Sequence, residues 1–321
     1  MTGTTAGPLR LGVLGCADIA RRRMLPSLAH QPLVRLVAVA SRDGGKAERY
    51  AAEFGCAAVT GYDALLARDD IDAVYLPLPS ALHVGWSVRA LEAGKHVLCE
   101  KPFAPDAAQA RTAVRVARKR GLLLMESFMF LHHGQHAAVR RLVADGAIGE
   151  LRSFTAEFGV PRLASGDLWD VGAYPVRAAR LFLGDELTVL GAQSGDTHGA
   201  ALLCSPGGVT AQLAYGRGHA YRNHYALWGS EGRISLHRAY STPDDYVPVV
   251  RLERGGAHEP LTLPADRQFT NVAGEFARAV IERADFEPYA ASILRQAELV
   301  EAIGASASRP LDQTHDVGRT R

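Results

Sequence analysis

Through its first 125 residues the chain alternates short apolar runs with segments of helical character, and this alternation restricts the fold more than any other feature. The apolar runs are Leu9–Leu14, Val34–Ala40, Ala73–Leu78, His96–Cys99 and Leu122–Glu126. Between them, Asp18–Ala29, Lys46–Phe54, a segment reaching Leu91, and Pro105–Arg120 read as helices. Pro26 should kink or end the first of these. Runs of this kind read as strands buried on both faces. Parallel strands joined by right-handed helical crossovers give an α/β domain with a doubly wound parallel sheet.

The pattern changes after about Gly149. Leu151–Val160 alternates apolar and polar residues, and Leu168–Leu183 reads as a helix. Strand candidates then follow one another: Leu187–Gln193, Ala200–Cys204, Val209–Tyr215, Tyr221–Trp228, Arg233–His237 and Val247–Glu253. Strands in succession without helices between them pair antiparallel. Helices near Phe269–Glu282 and Tyr289–Ala305 close the chain. The expected organisation is a disordered tail over 1–8, a dinucleotide-binding domain over 9–126, and an α+β domain over 127–321 with an open, mostly antiparallel sheet. Helices can cover one broad face of that sheet. A second copy of the chain is an economical cover for the other, so a homodimer or homotetramer through this sheet is expected.

A formal charge of +2, with Lys and Arg dispersed, gives no footprint for nucleic acid. No apolar stretch approaches a membrane span, and Met1 to Pro8 lack the apolar core of a secretory signal. Cys16, Cys56, Cys99 and Cys204 have no CxxC spacing. A reducing, cytoplasmic compartment is expected, with no disulfide framework. His132, His133 and His136 cluster without carboxylate or thiolate company, so no metal site is expected.

The first strand runs into Gly15-Cys16-Ala17-Asp18-Ile19-Ala20, which occupies the G-x-G-x-x-G dinucleotide fingerprint of a Rossmann domain. Gly15 supplies the tight turn. Ala17 replaces the glycine that lets the backbone approach the pyrophosphate, and Ala20 stands at the helix–strand contact. The helix start brings free N–H groups and a positive dipole end to the crevice. The second strand ends at Ser41-Arg42-Asp43. A hydroxyl and a guanidinium suit a 2′-phosphate, so NADP(H) is expected over NAD(H), although Asp43 could serve the latter. Leu78, Pro79 and Ser80 form a strand-end turn that could flank the nicotinamide. His83 is either tucked against the sheet or a neighbour of dinucleotide and substrate.

In His96-Val97-Leu98-Cys99-Glu100-Lys101-Pro102 an apolar run stops at a charge pair and a proline. Ligands of open α/β sheets bind beyond the carboxyl ends of the strands, so the Lys101 ammonium should enter the crevice. In the second half, Asp170 and Tyr174 are four residues apart and share one helix face, with Asp167 as a possible cap. A carboxylate and a phenol placed this way can converge on one substrate. The alternative for these residues is a cap and a core tyrosine.

Taken together, the glycine loop, Glu100-Lys101-Pro102 at the fifth strand and Asp170-Val171-Gly172-Ala173-Tyr174 resemble the glucose–fructose oxidoreductase, inositol dehydrogenase and MocA (Gfo/Idh/MocA) family of NAD(P)-dependent oxidoreductases. The resemblance runs from about Leu9 to Ala305. Inositol dehydrogenases of the family carry histidine where this chain has Tyr174. The tyrosine branch includes dihydrodiol dehydrogenases and NDP-sugar 3-ketoreductases, and the Gly-Cys-Ala-Asp-Ile-Ala loop looks most like the latter, which make deoxysugars for actinomycete natural products and antibiotics. The resemblance implies a cis bond before Pro102 and NADPH-dependent reduction at C3 of a TDP-linked keto sugar. Tyr174 would be the proton donor, and Lys101 would stabilise the oxyanion and lower the Tyr174 pKa. Asp170 would orient substrate hydroxyls or Lys101. Glu100, Gly15, Cys16, Ala17, Asp18, Ile19, Ser41, Arg42, Leu78, Pro79, His83 and Lys101 would surround the cofactor. Arg162, His132, His133, Arg177, Arg222 and His224 are candidates for the nucleotide part of the substrate, and Phe130 and Trp169 could pack on a sugar or base. A free-sugar or trans-dihydrodiol dehydrogenase and a non-catalytic dinucleotide-sensing regulator are the alternatives.

Overall fold

A computed structural model describes residues 7–161 and 168–308. Arg162 and Asp167 lie outside the described residues, as do the first six. The first half holds strands β1 (Leu9–Leu14), β2 (Val34–Ser41), β3 (Ala57–Thr60), β4 (Ala73–Leu76), β5 (His96–Glu100) and β6 (Leu124–Ser127). Among them run helices α1 (Leu25–Leu28), α2 (Gly44–Phe54), α3 (Tyr62–Leu66), α4 (His83–Glu92) and α5 (Ala107–Arg120). All five strand pairs are parallel, in the order β3-β2-β1-β4-β5-β6. The order reverses between β1 and β4, and that switch point is where a doubly wound sheet takes its ligand. Strand β4 is buried at every residue, as its unbroken apolar run requires. Pro26 does not end the first helix. The helix runs on from Asp18 to Leu28, and a π-turn, Ala20–Met24, lies just before Pro26, where the regular backbone ladder is interrupted.

The second half contains α6 (Gly134–Ala144), β7 (Leu151–Val160), α7 (Trp169–Leu183), β8 (Thr188–Ser194), β9 (His198–Cys204), β10 (Thr210–Arg217), β11 (Arg222–Gly229), β12 (Gly232–His237), β13 (Val249–Arg254), β14 (Ala257–Thr262), α8 (Gln268–Ile281) and α9 (Glu287–Ala307). The eight strands form one sheet, β14-β13-β12-β11-β7-β10-β9-β8. All its pairs are antiparallel except β7 with β10, which run parallel because α7, β8 and β9 intervene in sequence. Helix α7 packs on one face of the sheet against β7 and β10. The other face exposes Leu190 (57%), Leu202 (38%) and Trp228 (63%).

The division expected at residue 126 is crossed in two places. It falls inside β6, and α9 returns to α5 and β6, burying Ala290, Ile293 and Ala297 beneath the first sheet. None of the described helices is long and apolar enough to cross a membrane.

Candidate active site

Gly15 adopts φ +120°, and a Cβ there would lie 2.7 Å from Leu78 Cδ2. Only glycine holds this turn without strain. The helix opens at Asp18, ahead of the π-turn, and its first backbone N–H groups lack an intrahelical partner and are available to an anion. Gly15, Cys16, Ala17, Ser41, Arg42, Lys46, Leu78 and Pro79 line a cleft of about 660 Å³ at the β1/β4 switch point. Uncapped N–H groups, a close backbone turn and two cations fit a dinucleotide with phosphate on its ribose.

Several side chains have duties that their positions in sequence do not reveal. The Cys16 thiol points inward at the Ala40 carbonyl, and burial pushes its pKa up. Asp18 pairs with Arg22 on the surface, while Ile19 stays exposed. Ser41 Oγ accepts the Asp43 N–H at 3.1 Å and keeps its own proton to donate. The Asp43 carboxylate caps α2 by accepting the Lys46 N–H at 3.1 Å through one oxygen, and Asp43 also lines the cleft. His83 is only 1% exposed, with its ring nitrogens 2.8 Å from the Pro102 carbonyl and 2.7 Å from that of Leu78. It therefore ties the β4 loop to the Lys101 turn from behind and is no wall of the cleft. Burial holds its pKa below the usual range.

Lys101 follows β5, and its peptide bond to Pro102 is cis, as the resemblance implies. Its Nζ donates to the Asp170 backbone carbonyl at 3.0 Å and lies 4.8 Å above the Tyr174 ring centroid. The lysine is thus oriented by the Asp170 main chain and not by its carboxylate. Beneath it, the buried Glu100 accepts the Tyr75 hydroxyl at 2.7 Å.

Tyr174 is 6% exposed, within an aromatic cage of Phe128, Phe130, Phe158 and Tyr240. Among the described residues its hydroxyl has Met129 Sδ as partner, at 3.8 Å. The expected lowering of its pKa is overturned. Burial drives it well above the usual phenol range, and the Glu100 and Asp170 charges push the same way. Lys101 does not offset this because it sits over the ring face, not at the oxygen.

The candidates for the nucleotide part of a substrate scatter. His132 and Arg177 line a separate cavity of about 340 Å³ with Glu126 and Phe128, and the Phe128 ring stands between this cavity and Tyr174. Arg222 is ion-paired to Glu157 at 2.6 Å. His224 and His133 are buried, and His136 binds the Tyr225 hydroxyl at 3.0 Å. Phe130 is fully buried, and Trp169 packs on Tyr215 at 5.4 Å. Lys46 was missed, although its place three residues past Asp43, in the first turn of the next helix, was readable.

Comparison with known proteins gives the family of the chain. The family described as "Oxidoreductase family, NAD-binding Rossmann fold" matches residues 9–128, and the "GFO/IDH/MocA C-terminal domain" matches residues 136–235. A dTDP-3,4-didehydro-2,6-dideoxy-alpha-D-glucose 3-reductase of Actinomadura kijaniata is 48% identical over 320 residues, 94% of this chain and 96% of its own. The protein of the same name from Saccharopolyspora spinosa is 48% identical over 321 residues, 92% of this chain and 97% of its own. A crystal structure of a 3-ketoreductase from Actinomadura kijaniata, in complex with TDP-benzene and NADP, superposes with a TM-score of 0.90 at 48% identity, over 94% of this chain and 98% of that one. The chain belongs to the Gfo/Idh/MocA family of oxidoreductases.

Proposed function

We propose that this protein uses NADPH to reduce the C3 carbonyl of a TDP-linked deoxysugar, acting in the cytoplasm on the route to a natural-product glycoside. The observation that carries the reading is the Lys101 ammonium over the Tyr174 ring, on the strand next to the dinucleotide cleft. The 48% identity to 3-reductases of TDP-linked sugars supports the substrate class. When bound, the dinucleotide supplies the hydride.

The chain's own residues do the rest. As charge grows on the carbonyl oxygen, the Lys101 ammonium stabilises it, held in place by the Asp170 carbonyl. Tyr174 gives up its proton as general acid, an effect typically worth about 10²–10⁴-fold. Its partner in the structure is a thioether, a weak acceptor, so this proton is not committed elsewhere. A high phenol pKa keeps the proton in place until the oxyanion forms. Asp170 orients sugar hydroxyls with its carboxylate. Arg42 and Lys46 hold the 2′-phosphate, and Ser41 donates to it. The open face bearing Leu190, Leu202 and Trp228 joins two copies of the chain.

The test is NADPH consumption by the purified protein with a TDP-linked 3-keto sugar, an unlinked sugar and a trans-dihydrodiol. Turnover of the first at the highest kcat/KM is expected. Turnover of either other compound with none of the first would replace this reading. Analytical ultracentrifugation at micromolar protein should give a dimer or tetramer, and a monomer would remove the sheet-face assignment.

A further inference from the structure

Within the nucleotide-sugar reading above, we propose that Arg238 is the anchor for the substrate's diphosphate. Arg238 is exposed and lies just past the end of β12, at the sheet edge that also carries the end of β7. Tyr240, two residues on, packs its ring 5.7 Å from that of Tyr174. The turn that carries Arg238 is thus joined, through Tyr240, to the ring of the proposed proton donor.

Three observations mark it as built for a ligand. First, its φ is +50°, a conformation that non-glycine residues other than Asn and Asp rarely adopt and that the surroundings must enforce. The enforcement is visible. Buried Gln135 donates to both the Arg238 and the Ala239 carbonyls at 3.3 Å, and buried Asn223 accepts the Tyr240 N–H at 2.7 Å. Two buried amides thus fix the backbone of an exposed arginine.

Second, the guanidinium has aromatic neighbours and no anion. It lies 5.9 Å from the Tyr221 ring centroid and 5.4 Å from that of Tyr246. The Tyr221 hydroxyl is itself held, accepting from Asn223 Nδ2 at 2.9 Å. Arg238 forms no ion pair among the described residues, although Asp244 and Asp245 follow in the same loop.

Third, its neighbour Arg222 is already neutralised by Glu157, so Arg238 is the cation of the two with its donors free. A planar fork of donors held between rings suits the paired oxygens of a diphosphate. The two tyrosines also offer faces for the attached base.

The test uses the NADP-loaded full chain and titrates TDP by calorimetry. Arg238→Gly removes the charge and keeps a residue that accepts positive φ. It should weaken TDP binding about tenfold or more. Arg238→Lys should recover part of the loss, and thymidine, which lacks phosphate, should bind all forms alike. NADP affinity should not change. Should the glycine variant lose NADP binding through misfolding, Arg238→Asn, which also tolerates this backbone, replaces it. Equal TDP affinity in wild type and the neutral variant would overturn the assignment and leave the nucleotide-sugar reading standing. A wild type that binds no TDP would overturn both.

Discussion

The Lys101 ammonium lies 4.8 Å above the centre of the Tyr174 ring while its hydrogen bond to the Asp170 carbonyl, 3.0 Å long, fixes it there. The main chain of α7 thus holds a cation from the first half of the protein over an aromatic ring of the second. Two residues more than seventy positions apart are locked into one unit beside the dinucleotide cleft.

Tyr174→Phe removes the phenol and preserves the ring that packs on Phe128, Phe130, Phe158 and Tyr240. kcat should fall by about 10²–10⁴. NADPH affinity and melting temperature should change little. Unaltered turnover in steady-state assays would remove Tyr174 from the proton-transfer role.

Lys101→Met keeps most of the stem and removes the charge. A loss in kcat of about 10²–10³ is expected, comparable to losing one oxyanion donor. NADPH binding, followed by its fluorescence, should remain. A large loss of NADPH affinity with normal kcat would make Lys101 a cofactor ligand instead.

Gly15→Ala places a methyl group 2.7 Å from Leu78 Cδ2 at a φ of +120°. The Leu78 side chain can move, but the backbone strain remains, at about 1–3 kcal/mol. Both melting temperature and NADPH affinity should drop, because Leu78 lines the cleft.

Arg42→Ala and Asp43→Ala should separate two roles. The first should lower the NADPH over NADH preference about tenfold, as expected for a lost charge-assisted contact. The second should cost about 1 kcal/mol of stability by removing the α2 cap, with the cofactor preference kept. A swing towards NADPH in Asp43→Ala would show that this carboxylate serves the ribose after all.

Glu126 offers a pH test away from the chemistry. Burial raises its pKa to about 7, although it accepts the Phe103 N–H at 2.8 Å. Unfolded, it ionises near the ordinary carboxylate value. Between these values the folded state holds the extra proton, so stability falls as pH rises from about 4.5 to about 7. Glu126→Gln retains the acceptor for Phe103 and should be more stable than wild type at pH 8, by up to about 3 kcal/mol. That advantage should vanish near pH 4, where both carry a neutral side chain. Denaturant melts at the two pH values would show it.

Periodicity exposed most of the strands and helices because burial imposes it. It missed β3, whose four residues alternate over a short stretch, and β14, an exposed edge strand that includes Pro260. The parallel pairing of β7 with β10 also escaped it, since adjacency in a sheet is not adjacency in sequence.

The sequence by itself determined the doubly wound sheet, the turn at Gly15, and the family that Lys101 and Tyr174 point to. Each of these is written in local pattern or residue type. Only the tertiary structure decided that Asp43 is a cap, that His83 faces two carbonyls, that the pKa of Tyr174 is raised and not lowered, and that Arg238 has two tyrosine rings near it and no ion pair among the described residues. The physical reason is that a side chain's charge state and availability depend on the atoms that surround it. Those atoms come from distant parts of the chain.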